Sequence, residues 1–231
     1  MQHYEVAGAT DIGQIRKKNE DSFSVISGIV SLAVVADGIG GHVHGDVASQ
    51  LCCEGLADAF KAYRKRDSLS EKKAQKFLSD SVKTVNESIF ERNVKEQNPL
   101  PMGCTVCAAV FAPEFVAVAS AGDSRLYMLE DGRLRQLTED HTVKHNGMNC
   151  LFLAVGITKT MAPQVLAFPA PEKSRFLLMS DGVYNSLDEK SIAAILSNAE
   201  TARDAANEII LQANANGGVD NLTVIAAIKR G

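Results

Sequence analysis

The sequence predicts an α+β fold: two antiparallel sheets packed as a β-sandwich and flanked by helices on both faces, a four-layer αββα arrangement. Three observations point there. Strand-like segments are joined mostly by short turns and do not alternate strictly with helices, which argues against a doubly wound parallel sheet. Two consecutive amphipathic helices are inserted between β-rich blocks, and two more precede the last strand. Each such helix has one apolar stripe to bury, and the outer faces of two sheets offer the surface for it.

In order along the chain, residues 4–9 read as a strand, followed by a turn at Thr10-Asp11-Ile12-Gly13. Strands follow near 23–27 and 31–36, with Ser27-Gly28 as a tight turn between them. Leu32 to Ala36 are small or branched apolar residues, with the length and bulk of a buried strand. From about 45 to 66 the period changes: Val47, Leu51, Cys52, Leu56, Ala59, Phe60 and Tyr63 fall three and four apart, as on one helix face. A second helix over 70–95 opens at Ser70 as N-cap and buries Ala74, Phe77, Leu78, Val82, Val85, Ile89 and Phe90. Asn98-Pro99-Leu100-Pro101 breaks it. Strands resume at 104–111, 115–121, 124–130 and 134–137, turning at Ala112-Pro113-Glu114 and Glu130-Asp131-Gly132-Arg133. Residues 138–150 are polar and poorly periodic. Strands near 164–168 and 175–180, helices near 188–198 and 201–214, and a strand at 221–229 complete the chain. Without an internal repeat, linker or low-complexity segment, residues 1–231 read as a single domain.

Composition excludes several classes. A hydrophobic fraction of 45% is incompatible with wholesale disorder. The net charge is −4 with both signs interspersed, so no nucleic-acid footprint is present; Arg64-Lys65-Arg66 and Glu71-Lys72-Lys73 read as solvated helix surface. The opening Met1-Gln2-His3-Tyr4-Glu5 is not a signal peptide, and no apolar run approaches the roughly 20 residues of a membrane span. The five cysteines, with Cys52 and Cys53 adjacent, do not form a disulfide framework and fit a reducing cytoplasm. Cys104 and Cys107 lie three apart in a strand-like run, facing opposite sides of a sheet, and read as buried structural residues.

Acids at strand ends carry the chemistry. Asp37 stops the apolar run and is followed by Gly38-Ile39-Gly40-Gly41-His42. The pattern recurs at Ser180-Asp181-Gly182, inverts at Asp220-Asn221, and appears again at Asn19-Glu20-Asp21 and Ala121-Gly122-Asp123-Ser124-Arg125. An acid at the tip of a buried strand is costly unless its charge is satisfied. One Asp-Gly is an ordinary turn, but several such acids can converge on one rim of a sheet, and oxygen-only clusters suit Mg²⁺ or Mn²⁺, not zinc. The acids alone also fit a two-metal nuclease, against which the lack of a basic face counts. Bland alternatives stay open: Arg16 with Lys17 and Lys18 as a solvated loop, Glu20 as a capping acid, Asp123 paired with Arg125 across a turn, and His42 as a structural residue.

Taken together, Arg16-x-x-Asn19-Glu20-Asp21, Ala36-Asp37-Gly38-x-Gly40-Gly41-His42, Gly103-Cys104-Thr105, Ala121-Gly122-Asp123-Ser124-Arg125, Leu137-Thr138-x-Asp140-His141, Ser180-Asp181-Gly182 and Asp220-Asn221-x-Thr223 resemble the metal-dependent serine/threonine phosphatases of type 2C in their compact bacterial form. The resemblance implies hydrolysis of phosphoserine and phosphothreonine on proteins by a water activated between two Mn²⁺ or Mg²⁺ ions. It implies that Asp37 bridges the ions with the Gly38 carbonyl on one of them, that Asp181 and Asp220 complete the other, and that Glu20 and Asp21 hold metal-bound waters. Asp123, with Asp181, matches the position of a third, weaker ion, and Arg16 that of a phosphate-binding arginine. Arg16, Asp37 and Asp181 are thus the expected catalytic residues. Substrates would be targets of a cognate Ser/Thr kinase, met by a monomer in the cytoplasm; a catalytically silent regulatory relative is the competing reading.

Two departures stand out. Ile39 takes a place where some relatives carry a proton-donating histidine. The 142–150 segment is shorter than the flap that relatives place beside the active site, and Asn146-Gly147-Met148-Asn149 suggests a mobile loop with few rigid anchors.

Overall fold

The computed structural model describes residues 3–40, 44–63, 69–97, 99–145 and 147–231. The expectations placed on Met1 and Gln2, Gly41-His42, Arg64-Lys65-Arg66, Asn98 and Asn146 lie outside the described residues.

The β-sandwich is present, and period-two alternation builds it. One five-stranded antiparallel sheet orders β10 (Gln164–Pro169), β5 (Phe115–Ala121), β4 (Val106–Phe111), β3 (Ser31–Asp37) and β2 (Asp21–Ile26). The other orders β1 (His3–Asp11), β12 (Leu222–Arg230), β11 (Arg175–Met179), β6 (Arg125–Glu130) and β7 (Arg133–Gln136). Along β3, Ala33 and Val35 point inward, joining Phe111, Val118, Phe176, Leu178 and Ile225 in the core between the sheets. Leu32, Val34 and Ala36 point the other way, onto α1 (Gly45–Tyr63) and α2 (Glu71–Glu96) through Leu56, Phe60, Leu78 and Val82. On the far side Leu177, Met179, Val224 and Ala226 meet α3 (Asp181–Ser186), α4 (Glu189–Asn198) and α5 (Ala202–Ala215) through Val183, Ile192, Leu196 and Ile209. Both faces of both sheets are thereby buried, the condition under which such strands read as continuous apolar runs. Cys104 falls in the helix-side core and Cys107 in the inter-sheet core, as their spacing requires.

Ser70 caps α2, its side chain accepting the Lys73 N–H, and Asp188 and Thr201 cap α4 and α5 in the same way. Two elements depart from the sequence reading. Ser180-Asp181-Gly182 is not a strand ending in a turn: Ser180 is the N-cap residue of the short helix α3. The polar 138–150 stretch is not structureless: β8 (Thr142–His145) pairs with β9 (Met148–Leu151) in a two-stranded hairpin. The burial of β8 does not alternate, so no apolar period betrays it. Among the described residues, no helix is long and apolar enough to cross a membrane.

Candidate active site

The sandwich brings the strand-end acids to one rim. Asp21 opens β2, Asp37 closes β3, Asp123 sits in the turn between β5 and β6, Asp181 opens α3, and Asp220 precedes β12. Arg16, Glu20, Asp37, Gly38, Asp123, Asp181 and Asp220 all line one cavity of about 490 Å³. Asp21 alone of the expected set is not on its wall. It lies buried, accepting from Ser180 Oγ at 2.7 Å, and its Oδ1 has no partner.

The residues around these acids explain the motifs. Asn221 is a clasp: its amide donates to the Ile12 and Lys18 carbonyls, each at 2.9 Å, and its Oδ1 accepts the Glu20 N–H at 2.8 Å. It therefore fixes the loop bearing Arg16 and Glu20 to the residue beside Asp220. Thr105 holds Asp37 from both sides. Its Oγ1 accepts the Asp37 N–H at 3.0 Å, and its own N–H donates to the Asp37 carbonyl at 2.7 Å. Two glycines permit close approach: a Cβ on Gly38 would lie 2.5 Å from the Gly45 main chain, and one on Gly182 would lie 2.0 Å from the Asn221 carbonyl oxygen.

Asp123 does not pair with Arg125. Arg125 instead forks onto Asp140, at 2.9 Å from Nε to Oδ1 and 2.7 Å from Nη2 to Oδ2, and donates to the Tyr127 hydroxyl at 2.8 Å. A bidentate carboxylate is the stronger partner for a planar guanidinium. Its carbon lies 3.6 Å over the Tyr184 ring, whose hydroxyl donates to the Asp123 carbonyl at 3.0 Å. Asp140 and Tyr184 are thus site-building residues to which the sequence assigned no role, and Arg125 takes Asp140 in place of Asp123. The co-occurrence of Asp123-Ser124-Arg125 with Thr138-x-Asp140 was the available signal.

Electrostatics mark the cavity as a place for positive charge. Burial raises the Asp37 carboxyl well above its ordinary value, and the charges of Asp21, Asp181, Asp123 and Asp220 raise it further. Burial lifts Asp181 to about 6, helped by Asp123 and Asp220. It lifts Asp21 to about 6 against the opposing hydrogen bond from Ser180. Arg16 answers only part of this charge: its Nη2 donates to Asp220 Oδ2 at 2.7 Å, a bond that raises the guanidinium pKa. Among the described residues, no three acid, histidine or cysteine side chains form a closed ligand set as they stand; the acids ring the cavity. The donor set nonetheless fits a hard dication, since it is all carboxylate and carbonyl oxygen, mutually repelling, with a buried carboxylate oxygen left unsatisfied.

Comparison with known proteins agrees with this construction. The chain matches the family described as Protein phosphatase 2C over residues 15–216. The serine/threonine phosphatase stp of Listeria monocytogenes is 34% identical over 234 residues, covering 94% of this chain and 92% of the relative. The phosphatase PstP of Mycobacterium tuberculosis is 32% identical over 236 residues, covering 96% of this chain and 44% of PstP. The crystal structure of a bacterial serine phosphatase superposes with a TM-score of 0.90 at 27% identity, covering 99% of both chains. The catalytic domain of PstP, solved with two manganese ions, superposes with a TM-score of 0.84 at 29% identity over the full length of both chains. The chain belongs to the protein phosphatase 2C family.

Proposed function

We propose that this protein is a Mn²⁺- or Mg²⁺-dependent phosphatase that hydrolyses phosphoserine and phosphothreonine on proteins. The observation that carries the reading is the convergence of Asp37, Asp123, Asp181, Asp220 and Arg16 on one cavity in a chain of this family. Asp37, Asp181, Asp220 and the Gly38 carbonyl would hold two ions, with Glu20 and Asp21 supporting their waters and Asp123 helping to hold a third. When bound, the ions supply a nucleophilic water and neutralise charge on the phosphate oxygens. Arg16 presents paired N–H donors to the phosphate, which must win it from Asp220. Ile39 lines the cavity without a transferable proton, so the leaving alkoxide takes its proton from water or another group. Thr105 and Asn221 keep Asp37 and the Arg16 loop in register throughout.

Residues 1–231 form a single phosphatase domain in this reading, with a shortened flap around 142–150 whose second strand supplies part of the cavity wall. Five free cysteines support a cytoplasmic location. The substrates are the targets of a cognate Ser/Thr kinase, and the enzyme acts as a monomer. The test is phosphate release from a phosphothreonine peptide in the presence and absence of Mn²⁺, with DNA as control. Metal-dependent release from the peptide alone supports the reading; cleavage of DNA, or no release, overturns it.

A further inference from the structure

Phe152 stands directly after β9, and the residue is 61% exposed while lining the same cavity as Asp37 and Arg16. A single exposed apolar residue on an open surface needs no explanation. This one is neither single nor loose. Leu151 and Leu153 line the cavity beside it, and Ile157 extends the apolar strip. The Phe152 N–H donates to the His141 carbonyl at 3.0 Å, and its ring meets the His141 ring edge-on, 5.7 Å between centroids at 80°. His141 is itself held: its N–H donates to the Gly122 carbonyl at 3.0 Å, and its Nδ1 lies 3.2 Å from the same oxygen. The preceding residue, Asp140, is gripped by both prongs of Arg125. The ring is therefore anchored to the turn that carries Asp123.

The cavity accordingly offers two chemistries side by side. Its acids and Arg16 suit a phosphoryl group and cations. The 151–153 strip suits hydrocarbon, and a rigid aromatic in a concave site is the usual form of a binding anchor. A peptide whose phosphorylated side chain reaches the acids must lay a neighbouring residue over the cavity wall. A charged neighbour would lose water against Phe152 and Leu153 without gaining a partner there. We infer that Phe152 is a specificity-determining residue that packs against an apolar side chain adjacent to the phosphorylated residue, so that preferred substrates carry Leu, Ile, Val or Phe beside phosphothreonine or phosphoserine. The inference rests on the phosphatase reading of the same cavity.

The experiment is a panel of phosphothreonine peptides that differ only in the residues on either side of the phosphothreonine, compared by kcat/KM with Mn²⁺. Wild type should favour Leu or Phe over Glu or Lys by about tenfold. Phe152→Ala should bring that ratio to within about twofold, and Phe152→Leu should keep most of it, because the contact is apolar and not specific to a ring. Turnover without preference in wild type, or a preference that survives Phe152→Ala, overturns the inference alone. Absence of metal-dependent turnover of every peptide overturns the phosphatase reading and the inference with it.

Discussion

Asp21 and Asp37 face each other directly across the β2–β3 ladder. Opposed residues of an antiparallel pair share one face of the sheet, and like charges there repel. Burial raises both carboxyls, Asp21 to about 6 and Asp37 well above its ordinary value, and the Asp21 charge adds to the rise at Asp37. Between an unfolded-state pKa of about 4 and those raised values, the folded chain holds protons that the unfolded chain has released. Stability of the protein stripped of divalent ions therefore falls as pH rises through that window. Thermal melts in EDTA from about pH 4 to about pH 7 should show a declining midpoint. Asp21→Asn should flatten the decline, and Mn²⁺ should restore the midpoint near neutrality. A midpoint that climbs through the window in wild type and variant alike would contradict the account.

Asp181→Asn removes one carboxylate from the cavity while keeping its size and its place at the start of α3. Turnover should drop by about a hundredfold or more, with an unchanged circular dichroism spectrum. Full activity at saturating Mn²⁺ would remove Asp181 from the proposed ligand set.

Arg16→Ala separates phosphate from metal. Loss of charge-assisted donors should raise KM for phosphopeptides about tenfold or more. Asp220, freed of its ion pair, should bind Mn²⁺ no more weakly than in wild type and up to about fivefold more tightly, since half-exposed pairs are worth at most about 1 kcal/mol. Calorimetry showing a large loss of Mn²⁺ affinity with an unchanged KM would reverse the assignment.

Tyr184→Phe keeps the ring beneath Arg125 and deletes only the hydroxyl that donates to the Asp123 carbonyl. It should cost about 1 kcal/mol in urea unfolding and weaken Mn²⁺ binding at its weakest site. Arg125→Lys also loses the fork onto Asp140 and should cost more, about 1–3 kcal/mol. Equal, wild-type-like stability in both variants would show that the stack holds nothing in place.

Much of this was legible in the sequence because apolar period and burial coincide. Leu32 to Ala36 alternates between two cores, α2 begins at its Ser70 cap, and every acid singled out at a strand end reaches the cavity or the layer beneath it. What stayed hidden had no periodic signature. α3 is six residues long, too short for an apolar stripe, and its Ser180-Asp181-Gly182 start looks like a turn. β8 is mostly solvated, so it shows no alternation. Arg125 lies two residues from Asp123 but takes Asp140, fifteen positions away, because only the β6–β7 hairpin reveals which acid offers both oxygens.

The Asn221 clasp has a consequence for timing. The carbonyls and N–H that it binds lie 201 to 209 positions earlier in the chain. Contacts of such sequence separation form late in folding, after the loop entropy between them has been lost. A nascent chain that has built β1 to β11 still lacks both Asp220 and the residue that sets the Arg16 loop. Phosphatase activity should therefore appear only once β12 has docked, so that no chain ending before Asp220 can strip phosphate from its surroundings.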